Sequence, residues 1–263
     1  WQRLIIMLGG VTVNFILAAV IYIFMTFTYG VIDVDASSVD GGYEIKSSLL
    51  KEIGLQNGDK IIAINDYKIV NISDIKRYII EAKTMTIERD GTTKIIEFPI
   101  DFLGQLTASK PKGLIDLREP FIISALQENS INAEADLQSG DVLTLINQQP
   151  ARFMDEISPL LEMFKGQSVA FTFERNGTLL GRELQISNDG TLGVILTGSM
   201  QDYSNAGFFK ITKKEYGFGE SIGVGLNRFA LEMSSYWGQL KLIFSPSTGA
   251  YKGVGGFKAI FDI

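Results

Sequence analysis

The chain contains no histidine and no cysteine. Without histidine, neither a Ser-His-Asp nor a Cys-His nucleophile can be assembled from these residues. Without either type, the ordinary ligand sets of zinc, haem and iron–sulfur centres are missing. No disulfide framework exists, so cysteine usage carries no information on redox compartment. Basic residues are in the minority, 24 Lys and Arg against 30 Asp and Glu, for a formal net charge of −6. Nucleic-acid binding calls for a basic face, so no nucleic acid is expected as a partner. What is present is a foldable composition, 46% hydrophobic and 21% charged over 263 residues, with room for one to three domains. The chain starts at Trp1 and stops at Ile263 in an apolar run. It is read as a piece of a longer protein whose catalytic centre lies elsewhere.

Asp, Glu, Lys and Arg are also missing from Leu4 to Tyr29. A helix of that length is about 39 Å long at roughly 1.5 Å per residue, against a hydrocarbon core of about 30 Å. A transmembrane helix over residues 1–30 is expected. A cleaved signal peptide and a buried soluble helix are the alternatives; the run is long for the first, whose apolar region is ~7–15 residues. Arg3 before the span and Asp33 and Asp35 after it put the amino end in the cytoplasm and the following region outside it. Asn14 is the polar residue in mid-span, one turn after Gly10. An amide in hydrocarbon needs a protein partner, and small residues permit close approach. Asn14 is either a substrate contact or a helix-packing notch.

The region after the span repeats itself. Leu55-Gln-Asn-Gly-Asp-Lys-Ile-Ile-Ala-Ile-Asn65 returns as Leu137-Gln-Ser-Gly-Asp-Val-Leu-Thr-Leu-Ile-Asn147, and Thr86-Ile-Glu-Arg-Asp-Gly-Thr92 as Thr172-Phe-Glu-Arg-Asn-Gly-Thr178. In each copy the Gly-Asp turn leads into a strand, Ile61–Ile64 and Val142–Ile146. A helix follows, from Ser73 as N-cap to Lys83 in the first copy and over Asp155–Lys165 in the second. Asp90-Gly91 and Asn176-Gly177 then signal tight hairpins. The expected fold is a membrane-anchored α+β chain: one transmembrane helix, two modules of small barrel-like sheet with one helix each, and a C-terminal amphipathic helix. The boundaries are 31–112, 113–200 and 201–263. In the last stretch, apolar residues recur every three or four positions from Ile222 to Ile243. It carries a net charge of +2, whereas residues 31–200 carry −9. Such a helix either lies on the bilayer or packs on the second module.

The repeating unit resembles a PDZ domain of the bacterial protease-associated, circularly permuted type. In that type an apolar-Gly-apolar strand borders the peptide groove. Leu192-Gly193-Val194 matches it, and Gly113-Leu114 is the nearest counterpart in the first copy, with Lys112 before the glycine. A peptide would add as a strand, and N–H groups at the glycine turn would take its terminal carboxylate; a role as spacer or steric filter is the alternative. The span with Gly10-Val-Thr-Val-Asn14-Phe15, the tandem units and the amphipathic segment together resemble the central part of a bacterial site-2 protease of the regulator-of-sigma-E (RseP) type, with Val11 where that family usually has Pro. The resemblance implies an intramembrane zinc metalloprotease that cuts single-span membrane proteins such as anti-sigma factors in the bacterial inner membrane, with its PDZ modules extracytoplasmic. Its zinc motif, His-Glu-x-x-His, would precede Trp1 and its Leu-Asp-Gly motif would follow Ile263, so this chain alone holds no catalytic residue and binds no metal. By the same resemblance Gly10 and Asn14 bind the substrate. A non-catalytic, membrane-anchored tandem-PDZ scaffold is the rival reading.

Two further patterns are set aside. Asp33, Asp35 and Asp40 are read as a solvated linker, because the calcium loop needs Gly at its sixth position, where Ser38 stands. Gly253-Val-Gly-Gly256 lacks the Lys-Ser/Thr of a phosphate loop and stands where the family has a Ser-Gly-Pro turn.

Overall fold

The structure is a computed structural model, and it describes residues 2–109 and 111–245. The Gly253–Gly256 turn, and with it Lys252 and Lys258, two of the basic residues behind the +2 charge of 201–263, lie outside the described residues. The fold is mixed α+β. It opens with α1 (Gln2–Tyr29), and among the described residues this is the one helix long and apolar enough, over Gly9–Tyr29, to cross a membrane. Then come β1 (Val31–Val34), β2 (Tyr43–Ile45), α2 (Ser48–Glu52), β3 (Lys60–Ile64), β4 (Tyr67–Lys68), α3 (Ile72–Tyr78), β5 (Thr84–Arg89), β6 (Thr92–Glu97), α4 (Phe102–Ser109) and β7 (Ile115–Leu117). The second half holds β8 (Ile123–Leu126), β9 (Val142–Ile146), β10 (Gln149–Pro150), α5 (Met154–Met163), β11 (Ser168–Arg175), β12 (Thr178–Gln185), β13 (Val194–Leu196), α6 (Met200–Asn205), β14 (Ile211–Lys214) and α7 (Phe218–Ile243).

The two halves have one topology. A four-stranded antiparallel sheet runs β4-β3-β5-β6 in the first and β10-β9-β11-β12 in the second, and a short ribbon, β2-β7 or β8-β13, accompanies each. Asp90 and Gly91 have φ of 51° and 71°, and Asn176 and Gly177 50° and 77°. Positive φ at both central residues is the tight turn that matches strand twist, which is why Asp-Gly and Asn-Gly stand there. Equivalent positions fill the two cores. Ile61, Ile64, Ile75, Met85 and Ile87 are buried in the first, and Leu143, Ile146, Ile157, Phe171 and Phe173 in the second.

The repeated polar residues form an ion pair in each copy. Asp59, with a side chain 0% exposed, accepts from Arg89 Nε at 2.6 Å and Nη2 at 2.7 Å. Asp141 accepts from Arg175 at the same two distances. Each carboxylate also takes a backbone N–H, from Gln56 or Gln138, and each arginine also donates to a backbone carbonyl, Gly54 or Asp136. A bidentate fork of this kind ties the Gly-Asp turn to the far end of the central strand.

Several expected boundaries move. The first helix starts at Ile72, not Ser73, because Asp74 Oδ2 accepts from the Asn71 N–H at 2.9 Å and fixes the first turn there. It ends at Tyr78 and runs on as a 3-10 turn over Ile79–Glu81. Asp33 and Asp35 do not lie in a linker: Asp33 belongs to β1 and accepts from the Ser73 hydroxyl, and Asp35 caps a 3-10 turn. The boundary at 112/113 is displaced. Residues 102–109 are a helix, β7 pairs with β2 (Tyr43 opposite Leu117), and Ile115 is buried in the first core. The start of the segment 201–263 also belongs to the first body. Phe208 and Phe209 are buried in the first core, and β14 pairs with β1, Val31 opposite Lys214.

That β1–β14 pairing brings α1 and α7 side by side, since one helix ends and the other begins within a few residues of it. Gly225 faces the Ile23 backbone so closely that a Cβ there would stand 2.5 Å from the Ile23 Cα. Phe229 packs on Phe15 and Tyr22, and Arg228 Nη1 donates to Thr26 Oγ1 at 3.1 Å. One to two turns further along the same face, α7 reaches the first body through Glu232, 3.5 Å from Arg77. Its described packing is therefore on α1 and the first body, not on the second body as one sequence reading allowed.

The pair in the second body sets a pH response. Burial pushes the Asp141 carboxyl up, but the Arg175 guanidinium and the Gln138 N–H outweigh this and hold it below the usual carboxylate range. A depressed folded-state value gives stability that is present above the unfolded value near 3.9 and is lost as pH falls through the folded value. Asp141→Asn is expected to lower stability at pH 7 by about 2 kcal/mol, less than a fully buried pair, because Arg175 is 19% exposed. The same change should flatten the loss of stability below about pH 4. Urea unfolding followed from pH 7 to pH 2 checks both.

Candidate functional site

Each body carries a cleft between its helix and the strand that returns to close its ribbon. In the second, a cavity of about 310 Å³ lies between Leu192, Val194 and Leu196 on one wall and Ser158, Leu161 and Glu162 of α5 on the other. Gly193 sits at the turn that opens β13. Its φ is +68°, and a Cβ there would meet Ser130 Oγ at 2.6 Å, so both backbone conformation and space call for glycine. The Gly193 carbonyl accepts from Gln127 N at 3.0 Å. Asn132 braces the turn, with Nδ2 donating to the Leu192 and Gln185 carbonyls, each at 2.9 Å, and Oδ1 accepting from Gln185 N. Asn132 is 6% exposed and lies in no repeated block, so nothing in the sequence marked it.

The cleft of the first body is larger. A cavity of about 660 Å³ runs along residues 115–120, with Ile72, Ile75 and Lys76 of α3 opposite. Residues from outside the first repeat complete its wall: Met154 of α5, and Met200 and Tyr203 of α6. Gly113 and Leu114 precede this strand. The Leu114 carbonyl accepts from Lys46 and Ser47, and a Cβ on Gly113 would lie 3.3 Å from Asp116 Oδ2.

One cluster joins the two bodies beside this cavity. The Arg118 side chain is 7% exposed; Nε donates to Asp155 Oδ1 at 3.0 Å, and Nη2 to Asp155 Oδ2 at 2.9 Å and Glu156 Oε1 at 2.5 Å. Its guanidinium lies 4.1 Å from the Phe153 ring centre, and Nη1 donates to the Gly41 carbonyl. Asn57 Nδ2 donates to Asp155 from the first body at 2.8 Å, and Arg152 pairs with Asp40 at 2.8 Å. Arg118, Phe153 and Glu156 lie outside the repeated blocks, so no sequence pattern singles them out as functional.

The structure does not bring the two groups of expected site residues together. Gly10 and Asn14 are exposed on α1, where a Cβ on Gly10 would meet nothing within 4 Å. The face of α1 that α7 covers is formed by Tyr22, Ile23 and Thr26 instead. The residues present do not fit a zinc site either. There is no His or Cys, and among the described residues no three acidic side chains stand together as a metal-holding group.

Two outcomes follow from this geometry. Tyr43 is 1% exposed and its hydroxyl has no hydrogen-bond partner among the described residues. An unpaired buried hydroxyl costs about 1–3 kcal/mol, so Tyr43→Phe should leave the fold intact and raise stability by about 1 kcal/mol, read as a higher urea midpoint. Gly193→Ala should lower stability by about 1–2 kcal/mol from the left-handed backbone alone, with further loss from the Ser130 contact. A thermal melt unchanged by Gly193→Ala would show that the turn relaxes freely.

No family model matches the chain. A Staphylococcus aureus protein named "Putative zinc metalloprotease" is 33% identical over 101 residues, which is 37% of this chain and 22% of that protein. A Borreliella burgdorferi protein of the same name is 27% identical over 190 residues, 70% of this chain and 41% of that protein. Among solved structures, the PDZ domain of an SdrC-like protein from Listeria monocytogenes aligns at 18% identity with a TM-score of 0.26, over 32% of this chain and 92% of that domain. The chain spans about a fifth of the length of the first relative and about two fifths of the second. Over that share it is homologous to proteins named as zinc metalloproteases, which bears out the resemblance drawn from the sequence.

Proposed function

We propose that the chain is the part of an intramembrane zinc metalloprotease of the site-2 type that lies between its metal-binding segments, and that its two PDZ modules control access of single-span substrates such as anti-sigma factors. The observation that carries the reading is the direct attachment of two bodies of one topology to an apolar, span-length helix, in a chain homologous to proteins named as zinc metalloproteases. In this reading α1 crosses the bacterial inner membrane and the modules are extracytoplasmic. Zinc is held by the parent protein alone, as Lewis acid toward the scissile carbonyl.

The cleft at Leu192, Gly193 and Val194 suits a peptide that adds as a strand beside β13 with its terminal carboxylate at the Gly193 turn. Gly10 and Asn14, uncovered here, face the substrate or another helix of the parent. An amide both donates and accepts, which suits an extended backbone that hydrocarbon leaves unpaired. The modules bind peptide rather than act only as spacers, a reading supported by the two cavities of peptide-binding size.

Two measurements on the intact parent test this. Metal analysis should find one zinc per molecule; a zinc-free parent that still binds peptides would instead favour the non-catalytic scaffold. Asn14→Leu should cut substrate cleavage per folded molecule about tenfold or more, the scale of losing a substrate-orienting contact, with membrane insertion and abundance unchanged. Full specific activity with lowered abundance would make Asn14 a packing residue.

A further inference from the structure

Besides its size, the 660 Å³ cavity differs from the cleft at Gly193 in the charge beside its strand. Its backbone edge comes first. Across the β2–β7 ribbon, Tyr43 stands opposite Leu117 and Ile45 opposite Ile115. Neither donates to its partner: Ile45 N donates to Asn57 Oδ1 and Tyr43 N to the Asp59 carbonyl. Lys46 N does donate across the ribbon, to Leu114. Antiparallel ladders alternate bonded and non-bonded pairs, so Ile115 and Leu117 turn their N–H and C=O groups away from β2, toward the cavity side. An open strand edge along an apolar cavity recognises an extended peptide backbone; a lipid chain has no groups to meet it.

Charge then decides which part of a peptide fits. Asp33, Asp116 and Glu119 line this cavity, against Lys76 and Arg118. Arg118 is committed to Asp155 and Glu156. Lys46 is the cation near Asp116 and Glu119, but its ion pair is with Glu44 at 2.9 Å, and neither Asp116 nor Glu119 stands within ion-pair distance of a cation among the described residues; the Asp116 carboxylate is the one over the Gly113 turn. In the second body Leu196 stands opposite Ile123, as Leu117 stands opposite Tyr43 in the first, and β13, Val-Ile-Leu, carries no carboxylate to match Asp116. A terminal carboxylate docked at the Gly113 turn would face Asp116 at short range in an apolar cleft, where like charges repel strongly.

We propose that the cavity between α3 and the open edge of β7 binds an internal, extended segment of a partner protein carrying alternate apolar side chains, and rejects a free carboxyl end. This rests on the reading of the modules as peptide binders. Two clefts of one topology then have different ligands: the second suits a chain end, the first the body of an extended segment. Met154 and Leu196 line both cavities.

The test uses the full chain in detergent micelles and fluorescence anisotropy with two labelled peptides. Both are eight residues long with alternating valine and serine; one is amidated at its end, the other has a free carboxylate. The amidated peptide is expected to bind at least tenfold tighter at this cavity. Asp116→Asn should bring the two within about threefold. Ile72→Glu adds a carboxylate to the cavity at the first residue of α3, where an acidic side chain suits the helix, and should weaken the amidated peptide at least tenfold; Lys76→Glu serves the same purpose if that variant does not fold. Ser158→Trp fills the second cleft and should leave this binding unchanged. If the amidated peptide is lost only in Ser158→Trp, the proposal falls while the modules remain peptide binders. If neither peptide binds, both readings fall. Equal or tighter binding of the free-carboxylate peptide, sensitive to Ile72→Glu, overturns the discrimination.

Discussion

The arrangement of the two bodies depends on Arg118, because it is the charged side chain held at their junction with little access to water. Burying a guanidinium is costly unless carboxylates and hydrogen bonds replace its hydration. Here two carboxylates, a backbone carbonyl and the Phe153 ring do so at once. The residues supplying them come from α5 of the second body and from the Gly41 turn of the first, so a relative rotation of the bodies would strip the cation of several partners together. Gly41 has a φ of +71° and lies against the Phe153 ring, so the turn that offers its carbonyl to Arg118 tolerates no side chain. The large cavity inherits its shape from this clamp, since Met154 of its wall immediately follows Phe153.

A second constraint places these bodies relative to α1. The chain leaves the apolar helix, forms β1, and returns from Ile211, 180 residues after Val31, to pair with it through β14. A two-stranded ribbon alone is marginal in water. This one is held because Phe208 and Phe209, just before β14, are buried in the first core. The ribbon fixes where α7 starts, and the close approach at Gly225 then lets it lie along α1. Segments distant in sequence thus form one support for the first body, and the walls of its cavity come from both of them.

Much of this was legible in the sequence for a simple reason: duplication reveals what each unit needs. The Gly-Asp and Glu-Arg dipeptides recur because the buried Asp59 and Asp141 each meet a bidentate arginine fork, from Arg89 and Arg175. The strand Val142–Ile146 and both hairpin turns follow from alternation and from residues that accept positive φ. The boundary between the units did not follow. Gly104, Pro111 and Gly113 are turn-forming residues that draw a boundary at 112/113, yet the strand after them completes the first ribbon. A closing strand of three residues carries no periodicity of its own; its place is set by pairing with β2 across a long loop. The same holds for the junction. Arg118, Phe153 and Glu156 have no counterpart role within a single unit, so comparing the copies could not single them out.

The differences between the copies carry the functional information that their likeness cannot. Where both copies keep a residue, it serves the fold of the unit. Where they part, the unit is free to do something different. The second copy adds Asn132, which ties the Gly193 turn to the end of β12 by one hydrogen bond to Leu192 and two to Gln185, beside a small cleft of about 310 Å³. The first closes its strand on Lys112, Gly113 and Asp116 and opens a cavity about twice that size, walled partly by its neighbour. A duplicated fold whose clefts differ in volume, charge and shared walls is poorly suited to binding two identical ligands. If both clefts take peptide as proposed, they take different segments, and the Arg118 clamp sets the distance between the two sites.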